Sequence, residues 1–270
     1  MKRVVAGVAA FAVLAVTVPA QAAQAAAVDP VKALQGRLAA GKGVTFTDTT
    51  SYVDLSGKTA FLRREGVLQF GKPVKGGMGV IVASDIRATY TPHEGGIFNT
   101  LDTLLGDERT ITVGKVSYNK GGALNGDVPS GKPWLRYDKP LPGGVSGLYS
   151  QLVNPAEPAT LQALVKTGTK SGRTFKGHIS RAELWRISPW YRASAMSKSK
   201  ERALAFELTL GPDNLPQRLV TSHPAAEHWV QSLVGDDMIT VESRFTRWGG
   251  KVRVTAPPAK QVYSRKKGGS

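Results

Sequence analysis

The feature that most constrains the fold is a repeated alternation of apolar and polar residues with a period of two. From residue 57 to residue 71, one side carries Leu62, Gly66, Leu68 and Phe70, and the other carries Arg63, Glu65 and Gln69. Residues 79–91 repeat this pattern, with Val80, Val82, Ile86, Ala88 and Tyr90 opposite Asp85, Arg87 and Thr89. Successive side chains of a strand point to opposite faces, so both segments predict strands of a sheet with one dry and one wet face.

Turn-forming residues indicate that these strands are antiparallel. Residues 111–118 predict two strand ends around a tight hairpin turn that begins with Gly114. Further strands are predicted at 174–184, 202–210, 217–222, 238–247 and 251–255. The segment from Gly211 to Pro216 is rich in turn formers and predicts a hairpin loop between two of them.

Three short helices are predicted beside the strands. Asp29 and Pro30 supply an N-cap and a first helical residue for an amphipathic helix with Val31, Leu34 and Leu38 on one face, closed by Gly41. Residues 146–153 and 158–165 show the helical spacing of leucines. An antiparallel sheet with one apolar face needs a cover, so the expected fold is α+β, a curved antiparallel half-barrel covered by a few short helices.

The N-terminus has the three parts of a secretory signal peptide. Lys2 and Arg3 precede an apolar run over residues 4–18, and Pro19 and the small residues up to Ala25 follow it. The run is too short to favour a retained membrane anchor, which is the alternative. We therefore expect a signal peptide over residues 1–25 with cleavage near 25–27, a single domain over 28–262 and a basic disordered tail over 263–270.

The chain has no cysteine and a formal net charge of +16. The missing cysteine excludes thiol catalysis, cysteine-ligated metals and the lipid anchor of a bacterial lipoprotein, so the expected location is the extracellular or cell-wall space. The positive charge favours polyanionic partners such as an anionic envelope surface. Nucleic acid is not expected, because the basic residues are spread along the chain. The tail from Ser264 to Ser270 is either a solvated end or a weak contact with an anionic surface.

No motif for catalysis, a metal or a cofactor stands out. His223 and His228 are five residues apart with Pro224 after the first, which does not match the zinc helix of metalloproteases, and His93 and His178 lie in no ligand pattern. The glycines around Ser146 predict a turn that caps a helix. Paired acids for glycoside hydrolysis could meet only in the fold, so a hydrolase stays a third alternative to the non-enzymatic interpretation.

A ligand cavity is predicted between the dry sheet face and the helices. Among the tryptophans and their neighbours, Trp185 and the pair Trp190 and Tyr191 are the best candidates for its mouth, because they follow an amphipathic strand. The apolar strand residues fit three alternatives, which are core, cavity wall or both. The candidate cavity residues are Leu62, Leu68, Phe70, Val82, Ile86, Trp185, Trp190, Phe206 and Leu208.

Several of these stretches together resemble a known family. They are residues 66–70, the hairpin at 111–118 leading to Pro129 through Leu135, the loop at 211–218, and Thr246 through Pro258. In this order they resemble secreted and lipid-anchored actinobacterial proteins of the LolA-like superfamily, of the LppX/LprG type. The resemblance implies a half-barrel with an apolar cavity for acyl chains, without catalysis or cofactor. This chain lacks the cysteine of the lipid-anchored members, so a diffusible binder fits better.

Two functions from different classes follow. The leading hypothesis is a secreted, monomeric, non-catalytic protein that holds an apolar ligand, a lipid or an acyl chain, between the curved sheet and its helices. The alternative is a cell-envelope interaction protein that binds wall polyanions through its basic surface. Attachment to a polyanion should weaken steeply with ionic strength, whereas capture of an apolar ligand should hardly change.

The signal peptide makes a direct prediction about the exported protein. N-terminal sequencing of protein recovered from the medium should begin at Ala26 or Val28, since small residues at the end of the signal fit the signal peptidase. Recovery of a chain that still begins with Met1 would contradict cleavage.

Overall fold

The structure is a computed structural model, and it describes residues 29–55, 57–91, 106–123, 125, 128–144, 146–194, 203–224 and 238–265. Several sequence predictions lie outside the described residues. These are the signal peptide, the histidines His93 and His228, and the last part of the tail, residues 266–270.

Twelve strands form one open sheet, in the order β12-β6-β5-β4-β3-β2-β1-β11-β10-β9-β8-β7. The strands are β1 (Lys42–Asp54), β2 (Gly57–Phe70), β3 (Ile81–Tyr90), β4 (Glu108–Val113), β5 (Val116–Gly121), β6 (Trp134–Tyr137), β7 (Thr169–Ser171), β8 (Thr174–Ser180), β9 (Ala203–Leu210), β10 (Pro216–Pro224), β11 (Met238–Lys251) and β12 (Val262–Tyr263). All neighbours are antiparallel except β12 and β6, which are parallel. The predicted fold class, a curved antiparallel sheet with a few short helices, is confirmed.

The helices are short and lie on the inner face of the sheet. They are α1 (Pro30–Gln35), α2 (Pro158–Thr167), α3 (Arg181–Ile187) and α4 (Pro189–Ser194), with 3-10 turns at Ser146–Tyr149 and Ala259–Gln261. The Asp29 carboxylate caps α1 by accepting from the backbone N–H of Val31 at 2.7 Å. Leu34 of α1 and Leu161 and Leu164 of α2 are fully buried in the same hydrophobic core as Phe70, Phe206 and Leu208 of the sheet.

Three predicted boundaries are wrong. The N-terminal helix ends at Gln35 and not near Gly41. The helix expected over residues 146–153 is only a 3-10 turn that stops at Tyr149. The strand expected over 174–184 stops at Ser180, because the Ser180 hydroxyl accepts from the backbone N–H of Glu183 and starts α3. A Ser N-cap with an acid three residues later is a helix start that the strand alternation masked.

One predicted face is also wrong. Gln69 pairs with Ala83 and Phe70 pairs with Ile81, so Val82 is an extra residue on β3, a β-bulge. Beyond this bulge the alternation changes phase, and Ile81, Ser84 and Ile86 are buried while Val82 is only partly buried. Val82 therefore does not share a continuous inner face with Ile86, as the period-two pattern had predicted.

The C-terminal segment crosses the outer face of the sheet. The strand predicted over 251–255 is absent, since β11 ends at Lys251 and the chain runs without regular structure to the 3-10 turn at Ala259–Gln261. The Val254 N–H donates to the Gln69 Oε1 at 2.7 Å. The segment then reaches β12, which pairs with β6 and covers that edge of the sheet.

Candidate ligand-binding site

A row of polar side chains crosses the inner face of the sheet at one level. Asp48 of β1 is paired in register with Arg64 of β2 on one side and with Ser243 of β11 on the other, and Arg64 leads through Ala88 of β3 to Glu108 of β4. We call Glu108, Arg64, Asp48 and Ser243 the polar row. Each of the four is at most 5% exposed, so the middle of the dry face is not apolar.

The centre of the polar row is a buried ion pair. Arg64 donates to Asp48 Oδ2 through Nη2 at 2.5 Å and through Nε at 3.2 Å, and its guanidinium lies 5.8 Å from the centre of the Phe46 ring. Arg64 is 1% and Asp48 is 2% exposed. Removing either partner would leave a buried charge without its counter-ion, which typically costs about 3–5 kcal/mol. The fold therefore depends on both partners of this pair being present.

The chain from residue 141 to residue 157, described except for residue 145, covers the polar row, and we call it the cover segment. The Ser146 N–H donates to Glu108 Oε1 at 2.7 Å. Two glycines let the backbone come close: a Cβ on Gly143 would lie 2.3 Å from Arg64 Nη1, and one on Gly144 would lie 2.6 Å from Glu108 Oε2. The glycines predicted to form a turn here thus also allow direct packing on the buried charges.

Gln151 joins the cover segment to the sheet and to α4. Its Nε2 donates to Ser243 Oγ at 3.1 Å, and its Oε1 accepts from Thr221 Oγ1 at 3.0 Å. Its backbone carbonyl accepts from Trp190 Nε1 at 3.1 Å. The side chain of Gln151 therefore joins the cover segment to β10 and β11, and its backbone carbonyl joins the segment to α4.

A small cavity lies between the two layers beside the ion pair. The sheet contributes Phe46, Asp48, Arg64, Leu68 and Phe245, and the cover and α4 contribute Gln151, Val153, Asn154 and Trp190. Its volume of about 10 Å³ is close to the minimum that one water molecule needs. At this point of the structure, the space predicted to hold an apolar ligand is therefore filled by the protein's own side chains.

Only two of the nine candidate cavity residues, Leu68 and Trp190, line the cavity. Phe70, Ile86, Phe206 and Leu208 share one hydrophobic core with these two, and Trp185 packs against that core. Leu62 is buried and Val82 is partly buried. Trp185 also packs edge-on against Tyr191, with ring centres 6.3 Å apart.

Sequence reasoning missed the polar members of this site, although one signal was present. Arg64 has the same parity as Leu62, Gly66 and Leu68, and therefore belongs to the predicted dry face. A lone charge on a buried face is costly unless it is paired, so a partner of opposite charge is expected on a neighbouring strand. Gln151 had no comparable signal, because its role depends on where the cover segment crosses the sheet.

A further buried carboxylate, outside the polar row, fixes the backbone of Trp190. Glu157 accepts from the N–H of Trp190 at 2.8 Å, from Thr160 Oγ1 at 3.0 Å and from the Ser188 hydroxyl. Burial raises the pKa of Glu157 from 4.5 to about 7, while these hydrogen bonds and the charge of Arg192 lower the pKa in part. Glu157 thus joins the first turn of α2 to the first turn of α4.

The part of the chain that the structure describes offers no cluster of three or more histidine, cysteine or acidic residues that could hold a metal ion. His178 is exposed on β8, whereas His223 is buried on β10. None of the described helices is both long and apolar enough to cross a bilayer.

Comparisons with known proteins give structural similarity without sequence similarity. No protein-family model and no curated protein matches the sequence. Among solved structures, the chain is similar to the Mycobacterium tuberculosis lipoprotein LppX, with 13% identity over 84% of this chain and 96% of that chain and a TM-score of 0.39. It is also similar to an outer membrane lipoprotein-sorting protein domain from Vibrio parahaemolyticus, with 8% identity over 80% and 91% of the two chains and a TM-score of 0.27. The first of these, LppX, is of the LppX/LprG type named in the sequence analysis.

The buried carboxylate predicts a specific pH dependence of stability. Because the folded pKa of Glu157 is about 7 and the ordinary value is 4.5, the folded protein holds an extra proton between these pH values. Its contribution to the free energy of unfolding is complete below pH 4.5 and is lost as the pH rises to about 7, by about 3 kcal/mol in all.

Denaturant unfolding of wild type and Glu157→Gln between pH 4 and pH 8 measures this contribution. The stability difference between the two proteins should change across that interval, because the amide does not titrate. Glu183→Gln is the matched control, since Glu183 makes a surface ion pair with Arg186. A pH profile that Glu157→Gln leaves parallel to wild type would contradict the assignment.

Proposed function

We propose that this protein is a secreted, non-catalytic binding protein that holds an apolar ligand, a lipid or an acyl chain. The ligand would lie between the curved sheet on one side and the cover segment and the helices on the other. The observation that supports the proposal is the make-up of the cavity walls. Phe46, Leu68 and Phe245 come from the sheet, Val153 comes from the cover segment, and Trp190 comes from α4. Ligand sites are mostly apolar with a few polar groups that orient the ligand, and here Asp48, Arg64, Gln151 and Asn154 take that place.

A chain-like ligand can enter only if the cover separates from the sheet, since the cavity has the volume of about one water molecule. Residues 151–154 of the cover are in neither helix nor strand, so no regular ladder of backbone hydrogen bonds holds them in place. The contacts that close this part are the side-chain and carbonyl bonds of Gln151 to Ser243, Thr221 and Trp190. Separation of this segment would break these bonds and expose Leu152 and Val153, which are at most 4% exposed in the closed structure.

The same cavity makes the proposal testable with two opposite substitutions. Val153→Phe fills the space and should weaken saturable binding of the fluorescent fatty acid cis-parinaric acid at least about tenfold, in line with an overpacked site. Leu68→Ala enlarges the space and should strengthen binding. Val113→Phe is the matched control for the first variant, because Val113 is 37% exposed at the end of β4 and does not line the cavity.

Binding is measured by fluorescence titration of the exported protein, and thermal denaturation checks that each variant is folded. Wild type that shows no saturable binding would refute the proposal. Equal affinities of wild type, Val153→Phe and Leu68→Ala would place the ligand elsewhere.

A second candidate function, attachment to wall polyanions, is favoured by the net charge of +16. Much of the charge on the outer sheet face is already paired within the protein. Arg218 binds Glu207 and Glu242, Lys176 binds Glu207, Arg244 binds Glu242, and Arg109 binds Asp85. Fatty-acid binding that is unchanged between 50 mM and 500 mM salt would favour the carrier over the polyanion binder.

A further inference from the structure

Two neighbouring turns at one end of the sheet carry unpaired charge. The β2–β3 connection (residues 71–80) and the β4–β5 turn (residues 114–115) are adjacent, because Ala83 at the start of β3 pairs with Val113 at the end of β4. They also touch, since a Cβ on Gly77 would lie 3.2 Å from the Gly114 carbonyl oxygen. We call these two turns, with Val113, the basic end.

The basic end carries three exposed lysines, Lys72, Lys75 and Lys115. The chain has no acidic residue from 66 to 84 or from 109 to 126. Within the described residues these three lysines form no ion pair, in contrast to the paired cations of the outer face. Among the described residues, their charge is therefore left for an external anion.

The same end also exposes apolar surface. Val74 is 46% and Val113 is 37% exposed, and among the described residues only Leu55 is a further large hydrophobic side chain with comparable exposure. Leu55 follows β1 and so lies at the opposite end of the sheet. Val74 is held in its turn by a hydrogen bond from the Gly77 N–H to its carbonyl at 2.9 Å. The basic end thus exposes two valines together with three lysines.

We propose that the basic end docks the protein on the surface of an anionic lipid bilayer. The lysines contact the headgroups while Val74 and Val113 enter the interfacial layer, which is the arrangement of peripheral proteins that combine basic and apolar residues. A hydrated wall polymer would use the lysines but would gain nothing from the valines. This inference stands independently of the apolar-ligand proposal, because it uses no residue of the cavity.

Vesicle flotation with the exported protein tests the docking. Wild type should float with vesicles of 70% phosphatidylcholine and 30% phosphatidylglycerol, and should not float with phosphatidylcholine alone. Lysine contacts with an anionic surface add up, so replacing Lys72, Lys75 and Lys115 together by Gln should weaken partitioning about a hundredfold. The control replaces the exposed Lys58, Lys120 and Lys166 by Gln, which removes the same charge elsewhere and should change partitioning only a few-fold.

The valines distinguish a bilayer from a polyanion. Val74→Ser with Val113→Ser should weaken vesicle partitioning about tenfold and leave binding to poly-glutamate unchanged. These side chains are exposed, so thermal denaturation should match wild type. The proposal is overturned if the control lysine set is as damaging as the turn set, or if the valine pair has no effect on vesicles. It is also overturned if deletion of residues 265–270 abolishes flotation while the turn variants keep it.

Discussion

The buried ion pair between Arg64 and Asp48 is the interaction on which the arrangement of the interior depends. Two charges that are 1% and 2% exposed require close partners, and the sheet register supplies them on adjacent strands. The pair also determines how the cover segment packs, because Gly143 lies against the guanidinium and a side chain there would collide with it. Beside the ion pair, Glu108 accepts a hydrogen bond from the Ser146 N–H of the cover segment, and Gln151 of the same segment donates to Ser243 of the sheet. The inner face is thus polar along this row, and it stays polar across β4 and β5, where Thr110, Thr112, Ser117 and Asn119 are buried.

The sequence was a good guide to the sheet and a poor guide to the site. Alternation found β2, β3, β9 and the hairpin at Gly114, because most of each strand buries a single face. It failed at Val82, where one extra residue changes the phase, and at Ser180, where a local N-cap ends a strand that the apolar pattern would have continued. The pairing of β12 with β6, six strands earlier in the chain, leaves no local trace in the sequence.

Of the candidate site, only Leu68 and Trp190 were predictable from their residue types. The polar members belong to the site because of register and of chain crossing, which are long-range properties. Under the proposed function these polar residues matter as well, because a ligand would have to displace the cover segment from the closed polar centre. Glu157 contributes to the same closure, because it fixes Trp190, and its protonation makes that contact sensitive to pH near neutrality.

The central claim is that the Arg64 and Asp48 charges support each other inside the sheet, and a double-mutant cycle tests it most directly. Denaturant unfolding would be measured for wild type, Arg64→Met, Asp48→Leu and the double variant. Each single substitution should lower the free energy of unfolding by about 3–5 kcal/mol, because it leaves the other charge buried alone. The double variant should be destabilised by clearly less than the sum of the two. Additive losses, or single losses below about 1 kcal/mol, would contradict the claim.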